Sequence, residues 1–335
     1  MARERILSGM RPTGALHLGH WVGALRNWVD LQERYDCFFM VADWHALMSE
    51  YEKPGRISER SEEMVADWIA AGVDPARSVI FRQSDVPEHL ELYMVLSILT
   101  PLGWVERVPT YKEQLREVKG RDLATYGFLG YPVLQAADIL LYRAHAVPVG
   151  EDQIPHLELT REIVRRFKHL YGQEIFPEPK PILAPEPKLL GLDGRKMSKS
   201  YDNALGLADS PELLRKKTQK MFTDPKRIRM SDPGHPESCN VCHYWEMFAP
   251  ERKEVVWDEC RTSKRGCTQN KQELAEVLIG RLKRFREVRE EVAAKGTTAG
   301  FSGRPADILR AGAERARKEA AETIAQVKRV VGLAG

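Results

Sequence analysis

The sequence predicts an α/β fold, a doubly wound parallel sheet followed by an α-helical C-terminal domain, and three observations carry that expectation. Short β-prone runs alternate with longer amphipathic patterns through the first 150 residues, as happens when parallel strands are joined by crossover helices. A proline-rich segment then breaks the alternation, and beyond it the pattern is helical to the end. With 335 residues, 43% of them apolar and 30% charged, the chain can bury a substantial core and has the composition of a globular protein.

Four runs read as strands: Ile6 to Ser8, Cys37 to Ala42, Ser78 to Arg82 and Ala146 to Val149. Between the first two, Leu18, Val22, Leu25 and Val29 recur at helical spacing, which makes a βαβ unit. Pro177, Pro179, Pro181, Pro185 and Pro187 place a boundary near residues 177 to 205, because each ring fixes φ and withholds a donor. The last helix, Pro305 to Val331, buries Leu309, Ala313, Ala316, Ala320, Ile324, Val327 and Val331. Its other face, with Arg310, Arg315, Arg317, Lys318, Lys328 and Arg329 among glutamates, reads as solvated surface.

No apolar run approaches the ~18 residues of a membrane helix, and Met1 to Arg5 lacks a secretory core. The expected address is the cytoplasm. Five cysteines there argue against a disulfide framework. A net charge of +3 is too small to announce a nucleic-acid binder, so contact with phosphate must come from local basic surface.

Two stretches carry chemistry. Ser8-Gly9-Met10-Arg11-Pro12-Thr13-Gly14-Ala15-Leu16-His17-Leu18-Gly19-His20 follows the first strand and opens into a helix, whose N-terminal N–H groups and dipole suit phosphate. His17 and His20 can donate to phosphate oxygens, and Gly19 leaves room for a nucleotide; a pair of capping or core histidines fits the same spacing. Lys196-Met197-Ser198-Lys199-Ser200 follows the turn Gly191-Leu192-Asp193-Gly194-Arg195. Two lysines flanking a small polar residue can neutralise charge that builds on a departing pyrophosphate, where an isolated pentamer of this kind would be a solvated basic loop.

Together these are the paired HIGH and KMSKS signatures, here HLGH and KMSKS, and the chain resembles the class I aminoacyl-tRNA synthetases. Tyr131-Pro132-Val133-Leu134-Gln135-Ala136-Ala137-Asp138-Ile139-Leu140, Val147-Pro148-Val149-Gly150-Glu151-Asp152-Gln153 and His156-Leu157-Glu158-Leu159-Thr160-Arg161 look like the versions found in tryptophanyl-tRNA synthetases. The resemblance implies a Rossmann-like catalytic domain over residues 1–200, with a helical insertion and dimer region at about 85–125, and an α-helical anticodon-binding domain over 201–335. It implies that Arg11, Pro12, Thr13, Gly19 and His20 line the ATP site, that Gly150, Glu151 and Asp152 meet the ribose, and that Lys196, Met197, Ser198, Lys199 and Ser200 close on the phosphates. His17, His20, Lys196 and Lys199 would be catalytic. Asp138 would accept the indole N–H, with Tyr131, His45 and Gln153 around the ammonium and carboxylate of L-tryptophan. A single fixed carboxylate rewards that donor and is left unpaired by phenylalanine, although an ordinary helix carboxylate would look the same in sequence. Arg11 and Gln135 stand where many members carry glutamine and methionine.

ATP, Mg²⁺, tRNA(Trp) and a second copy in a homodimer are the implied partners; neither membrane nor DNA is among them. Leu90 to Trp104 is apolar enough for a dimer contact, and an internal helix explains it equally well. Cys239-x2-Cys242 and Cys260-x6-Cys267 gather four thiols, a soft donor set for a [4Fe–4S] cluster or, alternatively, Zn²⁺; unligated buried thiols are the remaining reading. Some bacterial family members carry an iron–sulfur site with a similar Cys-x6-Cys half, whose fourth ligand would fall at Asn270, so Cys242 would have to substitute. Rival readings are a tyrosyl-tRNA synthetase, a small-molecule adenylating ligase such as pantothenate synthetase, and a catalytically silent RNA-binding paralogue.

Overall fold

Five parallel strands form the sheet at the centre of the fold: β1 (Arg5–Met10), β2 (Asp36–Val41), β3 (Ser78–Arg82), β4 (Ala146–Val149) and β5 (Lys180–Leu183), in the order β3-β2-β1-β4-β5. The computed structural model describes residues 3–109, 111, 122–183, 189–198, 201–295, 297–298 and 301–333. Four strands lie where periodicity places them. The fifth falls inside the proline-rich segment, and as an edge strand carrying Pro181 it gives up a ladder donor only where none is required. Strand order reverses between β1 and β4, which marks the carboxyl ends of those two strands as the place where such a sheet binds ligands.

The chain divides into two compact units that do not follow a linear cut at residue 200: residues 1–14, 27–185 and 291–335 form the first, residues 15–26 and 186–290 the second. In the first, the sheet is covered by α2 (Asp43–Glu50), α3 (Ile57–Ala70), α4 (Glu88–Leu99), α5 (Tyr131–Leu141), α6 (Ile154–Tyr171) and α11 (Pro305–Val330). Leu7, Phe38, Met40 and Phe81 pack on one face with Leu96, Leu140 and Phe167. On the other, Trp28 stacks on Phe39 with centroids 4.4 Å apart and meets the edge of Trp68 at 5.0 Å.

The final helix, α11, belongs to this first unit rather than to a separate C-terminal domain. Its buried face is the one expected, except that Val331 lies past the helix end and is half-buried. The seam is small, Gly312, Ala313, Ala316 and Ala320, and a methyl group on Gly312 would sit 1.7 Å from the Ile80 carbonyl oxygen. Backbone-to-backbone packing of this kind brings the helix onto β3. Some of its basic residues serve the contact as well: Arg315 donates to the Pro75 and Ser78 carbonyls and Arg317 to Asp85, at 3.3, 3.2 and 2.7 Å.

The helical run α1, residues 18–31, contains a π-helical turn at Trp21–Leu25, and the division between units falls within it. The second unit adds α7 (Pro211–Gln219), α8 (Asn240–Phe248), α9 (Lys253–Arg261) and most of α10 (Cys267–Lys295). Tyr244, Trp245, Phe248, Val256, Leu274, Leu278 and Leu282 are buried in it. Among the described residues no helix is long and apolar enough to cross a membrane.

Candidate active site

In the first unit Asp138, on α5, is joined by one of the other residues expected to meet the amino acid, His45, and by two that were not expected. Its carboxylate is 2% exposed and accepts three hydrogen bonds of 2.7 Å: from His45 Nε2 on Oδ2, and from Gln83 Nε2 and His89 Nδ1 on Oδ1. His45 stands on α2 just past the end of β2, Gln83 just past β3, and His89 in the first turn of α4. Burial works to raise the Asp138 pKa, but the hydrogen bonds and charge of His45 and His89 outweigh it and hold the carboxyl below its ordinary range. Sequence reasoning missed Gln83, His89 and Tyr142, whose hydroxyl lies 2.8 Å from His89 Nε2.

Tyr131 and Gln153 are brought together through a third side chain, His156. Its Nδ1 lies 2.9 Å from Gln153 Oε1 and its Nε2 3.0 Å from the Tyr131 hydroxyl. Burial, with the nearby His45 charge, lowers the His156 pKa to about 4. The neutral ring therefore donates from Nδ1 to the amide oxygen and accepts the Tyr131 proton at Nε2. His156 lay within a stretch already singled out, and the helical spacing 153–156 was the signal that could have marked it.

Gly150, Glu151 and Asp152 turn tightly after β4, where the Gly150 carbonyl accepts from Gln153 N–H at 2.9 Å. A Cβ on Gly150 would approach Asp152 Oδ1 to 2.6 Å. Arg11, Pro12 and Thr13 follow β1; the Arg11 guanidinium donates to Ser49 Oγ at 3.4 Å and Thr13 N–H to the Arg11 carbonyl at 2.8 Å.

The second unit holds the other nucleotide signatures. The imidazoles of His17 and His20 lie 3.7 Å apart, and His17 N–H donates to His20 Nδ1 at 3.2 Å. The turn is pinned by Leu18 N–H to the Leu205 carbonyl and Leu207 N–H to the Leu16 carbonyl, at 2.9 and 3.0 Å. A Cβ on Gly19 would stand 3.0 Å from the His17 ring and 3.6 Å from Met197 Cβ, so HLGH and the KMSKS stretch are neighbours. Met197 is buried and Lys196 exposed; Lys199 and Ser200 lie outside the described residues. Asn203, which sequence reasoning passed over, organises this loop. It is buried, accepts Ser198 N–H at 2.8 Å, and donates to Asp193 Oδ1 at 2.7 Å and the Lys196 carbonyl at 3.2 Å. That donation, with help from Arg195, holds Asp193 down at about 2.

The thiols of Cys239, Cys242 and Cys260 are buried and that of Cys267 half-buried. Cys242 shares its proton with the sulfurs of Cys239 and Cys260, which raises its own pKa and lowers theirs. Amide and guanidinium N–H groups point at the sulfurs: Asn270 at Cys242 and Arg227 at Cys260, each at 3.8 Å. Asn270 thus stands beside Cys242. A Cβ on Gly234 would come within 2.4 Å of Cys260 Sγ. Among the described residues no group of three or more His, Cys, Asp or Glu is arranged to hold a metal ion.

The family of class I tRNA synthetases for W and Y matches residues 2–283. A tryptophan–tRNA ligase of Thermotoga maritima is 48% identical over 98% of this chain and 99% of its own length, and one of Ralstonia nicotianae is 41% identical over 99% of each. The crystal structure of tryptophanyl-tRNA synthetase from Campylobacter jejuni, complexed with ADP and tryptophan, superposes with a TM-score of 0.87 at 35% identity, covering 98% of this chain and 100% of that one.

Proposed function

The chain belongs to the class I tRNA synthetases for tryptophan and tyrosine, and from that membership and its site we infer a tryptophan–tRNA ligase. L-tryptophan and ATP give tryptophanyl-adenylate and pyrophosphate, and tryptophan then passes to the 3′ end of tRNA(Trp). The observation that carries the choice of amino acid is Asp138, a buried carboxylate held below its ordinary pKa. An indole offers one N–H and a large apolar face, and such a carboxylate pairs with that donor.

Tyr131 and Gln153 receive the ammonium, and His45 stands at the indole carboxylate partner. The tryptophan carboxylate attacks the α-phosphorus, the bond to the bridging oxygen breaks, and pyrophosphate leaves with the electron pair. No covalent enzyme intermediate is needed. Arg11, Pro12, Thr13, Gly19 and His20 bind ATP, Gly150, Glu151 and Asp152 its ribose, and Lys196, Met197, Ser198, Lys199 and Ser200 its phosphates, with His17, His20, Lys196 and Lys199 stabilising the developing charge. ATP is used with Mg²⁺, which supplies further neutralisation of the departing pyrophosphate. In the second step the terminal ribose hydroxyl attacks the adenylate carbonyl and AMP departs.

Three further features complete the reading. Cys239, Cys242, Cys260 and Cys267 would be the ligands of a [4Fe–4S] cluster, or alternatively of Zn²⁺, once drawn together from an arrangement that does not itself form a metal-holding group; the soft donor set and the N–H groups aimed at two of the sulfurs support a structural cross-link within an anticodon-reading region. Met94 and Ile98, one turn apart on α4, and Leu102 just beyond its end are 59, 74 and 60% exposed, which supports a homodimer contact. The enzyme works in the cytoplasm.

ATP–pyrophosphate exchange, run separately with tryptophan, tyrosine and phenylalanine, tests the function. Exchange with tryptophan alone is expected; exchange with tyrosine would assign the chain to the family's other substrate, and none with folded protein would make it a silent paralogue.

A further inference from the structure

The carboxylate of Asp138 is held by a chain of buried groups that extends past the residues in reach of a substrate. A carboxylate offers about four acceptor positions. Gln83 and His89 take the two on Oδ1 and His45 takes one on Oδ2, leaving one on Oδ2. Behind this shell, His89 and Tyr142 are both 0% exposed, with His89 Nε2 facing the Tyr142 hydroxyl at 2.8 Å.

The direction of each bond follows from chemistry. Asp138 can only accept, so His89 carries its proton on Nδ1. The buried Tyr142 O–H has His89 Nε2 as the acceptor within reach and donates to it. Burial pushes the Tyr142 pKa well above its ordinary value, so that hydroxyl keeps its proton. Phe81 lies against the His89 ring at 6.0 Å, closing the arrangement on its apolar side.

We propose that His89 and Tyr142 are positioning residues for the selection of tryptophan: Tyr142 holds the His89 ring in place through Nε2, and His89 fixes the carboxylate so that its remaining Oδ2 lone pair meets the indole N–H. The proposal rests on the reading of Asp138 as the indole partner. A carboxylate free to rotate could satisfy itself within the shell when phenylalanine occupies the pocket. A carboxylate locked from behind is left one hydrogen bond short, and discrimination against an amino acid without the donor is then largest.

Pyrophosphate exchange by His89→Leu, His89→Asn, Tyr142→Phe and Asp138→Asn, with folding checked by circular dichroism, tests this. His89→Leu is expected to raise KM for tryptophan about 10- to 100-fold, leave KM for ATP unchanged, and narrow the tryptophan-to-phenylalanine ratio of kcat/KM by a similar factor. His89→Asn, whose amide N–H replaces Nδ1–H, restores most of both. Folded His89→Leu with the parent ratio, beside Asp138→Asn with a collapsed one, overturns the relay and leaves the reading of Asp138 standing. An unchanged ratio in Asp138→Asn itself overturns that reading, and the relay with it. Should His89→Leu not fold, Tyr142→Phe decides: a raised tryptophan KM with a narrowed ratio and a broadened His89 Nδ1–H signal in nitrogen-15 NMR supports the relay, and an unchanged signal, KM and ratio overturn it.

Discussion

The pocket around Asp138 and the loop around Lys196 solve opposite problems. At Asp138 every functional side chain is itself held by another: His45, Gln83 and His89 fix the carboxylate, and His156 fixes Tyr131 and Gln153. At Lys196 the support runs through the backbone, with Asn203 bonded to Ser198 N–H and the Lys196 carbonyl while the lysine side chain stays exposed. Recognition of a neutral aromatic amino acid requires a dry, pre-set acceptor, because the penalty for the wrong substrate comes from a group left unpaired. Stabilising charge on a leaving group requires a cation in reach at the transition state, which an exposed lysine on a shaped loop can supply.

This contrast can be broken by substitution. Lys196→Ala is expected to have the largest effect, lowering kcat for exchange about 10²- to 10³-fold with KM for tryptophan unchanged; steady-state exchange kinetics check it, and a rise in tryptophan KM alone would contradict the division. Asp138→Asn should lower kcat/KM for tryptophan about 10- to 100-fold while KM for ATP stays put. Asn203→Ala, which frees Ser198 N–H and releases Asp193, should cost about tenfold in kcat together with about 1–3 kcal/mol of stability in urea. A parent-like kcat there would mean that the loop is shaped by something other than Asn203.

The smallest effect at neutral pH concerns His156. Its pKa falls from 6.5 to about 4 on folding, so between those values the unfolded chain binds a proton that the folded one refuses. Its contribution is complete above pH 6.5, is lost as pH falls toward 4, and levels off below that. Thermal melts of the parent and of His156→Gln across this window should converge as the pH drops. Parallel curves would show that His156 does not titrate with folding.

Much of this was legible in residue order, for reasons that also explain the gaps. β1 to β4 are short runs bounded by helical patterns, whereas β5 lies inside the proline-rich segment and carries Pro181, which its edge position tolerates. The buried face of α11 could be read from its alanines, but not what covers it: a small-residue seam serves a helix or a sheet alike, and only the approach of Gly312 to Ile80 settles the partner. HLGH and KMSKS announce themselves by spacing. His89, Gln83 and Tyr142 do not, because their partnership with Asp138 is made across the fold and each alone looks like an ordinary core residue. Asn203 sits just past a recognisable motif, and its role appears only once the loop is closed.

Equilibrium binding of tryptophan without ATP, to the parent, Asp138→Asn and Lys196→Ala, separates the two regions in one experiment. Asp138→Asn should bind about tenfold or more weakly and Lys196→Ala like the parent. Equal weakening in both variants, or parent-like binding by Asp138→Asn, would show that the pocket is not set before the nucleotide arrives.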